Sequence, residues 1–288
     1  MLEELQRFHR FVATHPVTRQ SRLGAWRRWA RWQLASRILD APVIFPWLDE
    51  SLLVVERGMT GATGNLYCGL HEFADMALLL HYFCGKQGVF LDVGANIGSY
   101  TILASKVSGV FSIAIEPAPA TFRKLQRNIA VNGIGELVEA HCMVAGSKAE
   151  SILFSDDRDT MNQVVDVSYA GNSVAVPVGP LDDIFKGRSA GFWKVDVEGF
   201  EHEVLAGAMN SLNDRNVDIV LLEGHDPEIA QRMNSAGFQK QSYDPFHRRF
   251  TGCSTFDQTN NNVWVKNLKA VADRCRSAPK RTLHGVEF

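Results

Sequence analysis

Val89 to Thr101 reads VFLDVGANIGSYT, a short apolar run that enters a glycine turn and leaves it as a helix. Val89, Phe90, Leu91 and Val93 suit a central parallel strand, and Gly94 and Gly98 let the backbone turn tightly and approach a ligand. Asp92 is costly at the end of such a strand unless something hydrogen-bonds it, and the amino group of a cationic cofactor would serve. A dinucleotide loop reads G-x-G-x-x-G, so that a pyrophosphate meets bare backbone N–H groups. Here Gly94-Ala95-Asn96-Ile97-Gly98 puts Asn96 at the middle glycine position, and an acid stands two residues before the first glycine. Both departures disfavour a dinucleotide.

Working outward, Val110 to Ile115 is the next apolar strand, and it ends at Glu116-Pro117 before a helix over Ala118 to Val131. In a doubly wound sheet ligands collect at the carboxyl edge of the strands, and an acid about 20 residues past the glycine loop accepts hydrogen bonds from ribose hydroxyls. Glu116 stands at nearly that distance. Phe192 to Glu203, FWKVDVEGFEHE, carries more chemistry, because Lys194, Asp196 and Glu198 alternate along strand-like sequence. If that strand neighbours the glycine-loop strand, Asp196 and Glu198 reach the same carboxyl edge, and Asp196 becomes a candidate base or metal ligand. Ile219 to Leu222 is a further buried run with Glu223 at its end and His225 two residues later, a candidate general base. Converging carboxylates and a histidine could instead hold a divalent cation on Asp196 and Glu223. Oxygen donors favour magnesium, calcium or manganese over zinc.

Composition bounds the alternatives. A chain of 288 residues that is 45% hydrophobic can bury a large core, and no apolar run approaches the ~20 residues needed to span a bilayer. The start, MLEELQRFHR, lacks the apolar core of a signal peptide, so a soluble, cytoplasmic protein is expected. Five cysteines without a C-x-x-C pair suggest neither a disulfide framework nor a cysteine zinc or iron–sulfur site. Net charge is −2, but residues 1–39 hold eight arginines and two glutamates. Within that stretch RLGAWRRWARWQLASR, residues 22–37, reads in two ways. It is an interfacial helix that docks on an anionic membrane or nucleic acid, or a helix whose tryptophans pack on the catalytic domain. Tryptophans three apart drift around a helix, which favours packing.

The remaining pattern predicts a linker around Pro42 and Pro46, a strand over Ser51 to Arg57, a glycine-rich turn region over Gly58 to Gly69 and a helix over Glu72 to Phe83. Beyond the glycine loop, Leu137 to Val144 continues the strands, Asp156 to Gly171 reads as a loop, Leu181 to Lys186 as a short helix and Glu201 to Leu212 as one helix. Alternating strands and helices imply an α/β fold whose mostly parallel sheet carries helices on both faces.

Several segments now carry a resemblance. Asp92, Gly94, Asn96 and Gly98 resemble the first motif of class I S-adenosylmethionine-dependent methyltransferases. With IEPAPATFRKLQRNIAVNG, LDDI at 181–184, KVDVEGFEHEVLAGA and NNVWV, they are similar to the FkbM-type methyltransferases. The match covers roughly residues 50–267, which suggests a helical extension over 1–48, a methyltransferase domain over 49–267 and a tail over 268–288. The resemblance implies a Rossmann-like sheet of seven strands with the last antiparallel, S-adenosylmethionine as cofactor, and O-methylation of a sugar, glycan or natural-product hydroxyl. It implies that Asp92, Gly94, Asn96 and Gly98 surround the cofactor's methionine part, and that Tyr100, Thr101 and Pro117 also bind the cofactor. Glu116 would meet the ribose, Cys142 and Met143 the adenine, and Glu72, beside His71, would line the pocket. It places Asp196 and Glu198 at the reaction centre.

Other classes are weaker. An amino-methylating enzyme acting on nucleic-acid bases would show D/N-P-P-Y/F where this chain has Asp196-Val197-Glu198-Gly199, so no nucleic-acid partner is expected. A non-catalytic module that binds the cofactor stays open. The acceptor-binding loops, at 156–171 and 243–253, and the N-terminal arm name no single molecule. Asp157, Arg158, Asp159, Asn162 and Gln163 could hydrogen-bond a polyol or simply face water.

Overall fold

The computed structural model describes residues 2–39, 41–85, 87–155, 163–166, 168–224, 226–252 and 261–288. Helices α1 (Leu2–Thr14) and α2 (Arg22–Ile38) precede the strands β1 (Val43–Pro46) and β2 (Leu52–Val55), then α3 (Thr60–Cys68) and α4 (Phe73–Phe83). The strand and helix series continues as β3 (Val89–Val93), α5 (Ser99–Ile102), β4 (Phe111–Ile115), α6 (Pro119–Asn132), β5 (Val138–His141) and β6 (Val144–Ala145). After it come β7 (Glu150–Ser155), β8 (Val164–Val165), β9 (Ser173–Gly179), α7 (Leu181–Phe185), β10 (Phe192–Val195), α8 (Glu201–Ala206) and α9 (Met209–Leu212). The chain closes with β11 (Ile219–Glu223), α10 (Pro227–Ser235), β12 (Gln239–Asp244), β13 (Arg249–Thr251), β14 (Asn261–Val265), α11 (Leu268–Arg276) and the hairpin β15 (Thr282–Leu283) and β16 (Val286–Glu287).

The main sheet runs β13-β12-β14-β11-β10-β3-β4-β5, with β5, β4, β3, β10 and β11 parallel and β14 antiparallel between β11 and β12. This is the expected Rossmann-like arrangement of seven strands, and β13 adds a short eighth at the edge. Alternation builds the core. Phe90, Phe192, Ile219 and Val263 pack toward α4 and α11, whereas Leu91, Val93, Trp193, Val195 and Val220 pack with residues of α7 to α10. The order reverses at β3, whose successors in sequence run to one side while β10 and β11 lie on the other. Ligands of such sheets bind in the crevice at the carboxyl ends of the strands flanking this switch point.

Tertiary packing changed several local expectations. Residues 43–46, read as linker, pair antiparallel with β2 from Val43↔Val55 to Pro46↔Leu52. The stretch from Gly58, read as a turn region, forms α3, because Met59 and Ala62 bury against Trp32, Leu53 and Ile97. Glycine at position 64 admits the His71 imidazole, which a Cβ there would meet at 2.5 Å. Leu137 to Val144 splits into β5 and β6, and β6 joins β9, β7 and β8 in a second sheet of four strands. Part of the expected loop therefore becomes β8, which pairs with β7; residues 156–162 lie outside the described residues. The helix expected over 201–212 breaks at Gly207, where a Cβ would sit 2.0 Å from the carbonyl oxygen of Gly146. The segment after Asn267 packs rather than trails: Val271, Cys275, Leu283, Val286 and Phe288 belong to the core around α4.

At the N-terminus, Trp26 and Trp29 pack around Phe8 of α1, and Trp32 packs against Leu53 and Ile97. His15 of the following turn reaches the Leu70 carbonyl (2.9 Å), and Arg28 donates to the Tyr67 carbonyl (2.8 Å). Both helices therefore lean on the segment that leads to His71 and Glu72. Among the described residues no helix is long and apolar enough to cross a membrane.

Candidate active site

The carboxyl ends of β3, β4, β10 and β11 open onto a cavity of roughly 400 Å³. The glycine turn forms its floor. Gly94 and Ala95 both donate to the Ile115 carbonyl (2.9 Å each), and Gly94 takes a φ of 77°. A Cβ at Gly94 would lie 1.8 Å from the Asp196 carbonyl oxygen, so this glycine lets β3 and the end of β10 approach. Asn96, at φ 51°, occupies the left-handed region that asparagine tolerates, and its side chain accepts from the Ile97 N–H at 2.7 Å. The floor is braced from below, where Asn128 of α6 accepts from the Val54 N–H and donates to the Ile97 carbonyl, both at 2.8 Å.

Glu116 holds the turn from the next strand. One carboxylate oxygen accepts from the Asn96 N–H and the other from the Ala118 N–H, both at 2.9 Å. Burial pushes its pKa up to about 7, against the pull of those two N–H groups. Each oxygen keeps a lone pair for a ligand hydroxyl.

Strand register explains the charges. Lys194 of β10 stands directly beside Asp92 of β3, and both point to the α4 side. Lys194 is nearly buried, with its ammonium 2.5 Å from an Asp196 carboxylate oxygen and 4.9 Å from the Tyr100 ring centroid. Burial alone would lower its pKa, but Asp196, Glu72 and Asp92 outweigh that and raise it. Asp92 accepts from the Thr101 hydroxyl at 2.6 Å, and burial lifts it to about 6 despite Lys194 and Thr101. Lys194 is thus a countercharge to Asp92 from within the fold, and Thr101 is the hydrogen-bond donor to that carboxylate. The Tyr100 hydroxyl is buried beside Glu72 without a well-formed hydrogen bond.

Three acids gather on the opposite rim. Asp196, Glu198 and Glu223 offer oxygens that all lie within 4.8 Å of one another. Burial would raise Asp196, but the Lys194 ammonium and a hydrogen bond from Glu223 hold it below the usual carboxylate range. Glu223 moves the other way, raised by burial and by the Asp196 charge. The two neighbouring carboxyl groups are thus pushed in opposite directions. Glu198 is exposed and strained, at φ 50°, in a conformation that non-glycine residues rarely adopt.

The remaining expected residues divide. Glu72, Tyr100, Pro117 and Met143 line the cavity. Gly98 and Thr101 shape it from behind: a Cβ at Gly98 would meet Leu125 at 2.5 Å, and Thr101 reaches Asp92. Cys142 is not among the lining residues and its thiol faces the Pro117 carbonyl at 3.7 Å. His225 lies outside the described residues, as do Asp157, Arg158, Asp159 and Asn162. Gln163 uses its backbone to pair with Ser155. Sequence reasoning passed over Lys194, Asn65 and Phe154. The alternating charges of FWKVDVEG were the available signal for Lys194, whereas Phe154 and Val164 reach the cavity only because the second sheet folds over it.

The sequence model of the methyltransferase FkbM domain matches residues 92–240, just over half of the chain, from Asp92 of the turn past Glu223. The chain belongs to the FkbM methyltransferase family. A family relative, the hexuronic acid methyltransferase AglP of Haloferax volcanii, is 30% identical over 166 residues, which cover 56% of this chain and 67% of that protein. Methyltransferase 1 of Beauveria bassiana is 29% identical over 155 residues, 45% of this chain and 60% of its own. Among solved structures, a precorrin-6y C5,15-methyltransferase from Geobacter metallireducens aligns over 74% of this chain and 92% of its own at 10% identity, with a TM-score of 0.39.

Proposed function

We propose that this protein is an S-adenosylmethionine-dependent O-methyltransferase whose acceptor is a hydroxyl of a sugar, glycan or related natural product. The observation that carries the reading is the pairing of a glycine-floored cavity with Asp196 opposite that floor, its carboxylate 2.5 Å from the Lys194 ammonium. The cavity fits the cofactor chemically. Glu116 presents spare acceptor lone pairs for ribose hydroxyls, and the turn admits a close approach that a side chain at position 94 would block. Glu72, Asp92 and Asp196 together exceed the charge of Lys194, which suits a cationic ligand. When bound, S-adenosylmethionine supplies an electrophilic methyl group on a sulfonium.

The chain must then orient an oxygen and take a proton. Lys194 favours the carboxylate form of Asp196, which would accept a hydrogen bond from the acceptor hydroxyl. An alcohol is poorly acidic, but its oxygen becomes strongly acidic as it gains a new bond to carbon, and a carboxylate then suffices to remove the proton. Glu223, raised by burial and by the Asp196 charge, keeps its own proton and donates it in a hydrogen bond that orients the Asp196 carboxylate. Lys194 prevents Asp196 from taking up a proton before the acceptor arrives. The AglP relative is named for a sugar acid, and that likeness supports a carbohydrate acceptor.

A second reading rests on the 4.8 Å cluster of Asp196, Glu198 and Glu223, which a magnesium-like cation would suit. Such an ion would displace the proton that Glu223 favours and acidify the hydroxyl. Candidate glycans and polyols incubated with protein and S-adenosylmethionine, then analysed by mass spectrometry with and without a chelator, test both readings. A mass gain of one methyl on an acceptor hydroxyl is expected. Transfer abolished by chelation would favour the ion, and no transfer to any acceptor would favour a binding module.

A further inference from the structure

We infer that the outer face of α2 docks on an anionic lipid bilayer. Among the described residues the exposed large hydrophobic side chains concentrate here: Leu23 is 82% exposed, Leu34 64% and Ile38 71%, with Leu39 at 51% and Ile44 at 53% just beyond. At about 100° per residue, Leu23, Leu34 and Ile38 fall within roughly 60° of one another around the helix axis. The opposite face of α2 is already used, since Ala25 and Trp32 are buried and Arg28 bonds the Tyr67 carbonyl. Leu23, Leu34 and Ile38 therefore form a second apolar stripe that the fold itself does not cover.

Charge decides the occupant. Arg27 and Arg31 lie on the same exposed face, and neither makes an ion pair with a described side chain. No acidic residue occurs in the sequence between Glu4 and Asp40. Aliphatic side chains flanked by arginines match a bilayer interface, where the apolar tips enter the acyl boundary and the guanidinium groups stay among anionic headgroups. A nucleic acid would use the arginines but leave the leucines and isoleucines in water. A second copy of the chain would bring a second set of uncompensated arginines against the first. Trp32 and Ile97 share one hydrophobic cluster, so the docked face lies one helix thickness from the wall of the candidate active site.

Vesicle flotation with the full chain tests the inference. Protein should float with phosphatidylglycerol/phosphatidylcholine vesicles and stay behind with phosphatidylcholine alone. Raising salt from ~0.1 M to ~1 M should weaken binding, because the Debye length shrinks about threefold. Leu34→Glu/Ile38→Glu should lower binding by about tenfold or more with an unchanged thermal melt, since both sites face water. Arg27→Glu/Arg31→Glu, which leaves the apolar stripe intact, should do the same. Absence of flotation with anionic vesicles would overturn the inference, as would undiminished binding by both double variants. Sedimentation velocity showing a dimer that Leu34→Glu/Ile38→Glu dissolves, or an oligonucleotide bound in place of vesicles, would also overturn it.

Discussion

Replacing Lys194 with methionine keeps an unbranched side chain out to Cε and deletes the only cation that the described cavity residues present to Asp92 and Asp196. Lys194 itself is 5% exposed at the side chain and Asp196 30%, so the pair is buried on one side and partly wetted on the other. Removing one partner of a buried ion pair costs about 3–5 kcal/mol, and the partial exposure of Asp196 places the expected loss near the lower end, about 3 kcal/mol. Asp92 adds to the effect. Lys194 is the strongest influence opposing the burial that lifts Asp92 to about 6, so without it Asp92 rises further and holds a proton near neutrality. Urea unfolding at pH 7 of the wild type, Lys194→Met, Asp196→Asn and the double variant measures this. Both single variants should be destabilised, and the double variant should recover part of the loss, with a coupling of roughly 1–3 kcal/mol. A Lys194→Met protein within about 0.5 kcal/mol of wild type would refute the countercharge argument, and so would strictly additive losses.

Asp196→Asn should lower methyl transfer by ~10²-fold or more while calorimetry finds S-adenosylmethionine affinity within a few-fold of wild type; unchanged turnover would remove Asp196 as the proton acceptor. Gly94→Ala forces a Cβ to within 1.8 Å of the Asp196 carbonyl at a φ of 77°, and a displacement of that size should cost ~10²-fold in turnover, measured against wild type at equal folded fraction. Glu116 predicts a pH signature in the unliganded protein. Its folded pKa is raised to about 7 from an ordinary 4.5, so its contribution to stability is complete below the unfolded value and is lost as pH rises through 7, about 3 kcal/mol in all. The gap in unfolding free energy between wild type and Glu116→Gln should therefore shift by that amount between pH 4 and pH 8, and a constant gap would contradict it.

Local sequence was sufficient for the elements whose residues see mostly their own neighbours. The run into the glycine turn, the acid at the end of the next strand and the helix behind it follow from apolar spacing and from the φ that Gly94 and Gly98 must adopt. The same reasoning brought Asp196 and Glu223 to one sheet edge, because strand order and parity place strand ends regardless of distant contacts. It failed where a partner from far along the chain decides conformation. Gly64 reads as a turn former, yet it sits within α3 to make room for His71, and Gly207 breaks a helix because Gly146 passes beneath it.

What the sequence by itself determined is the sheet and the positions of its edge acids, since hydrophobic periodicity and glycine stereochemistry are short-range. Only the tertiary structure decided the direction in which each acid is pushed. That outcome depends on register, which sets Lys194 against Asp92, and on burial, which raises Glu223 and Glu116 while Lys194 holds Asp196 low. Protonation responds to charge and solvent within a few ångströms in space, and those neighbours include Asp92, which lies about 100 residues before Lys194 in the chain.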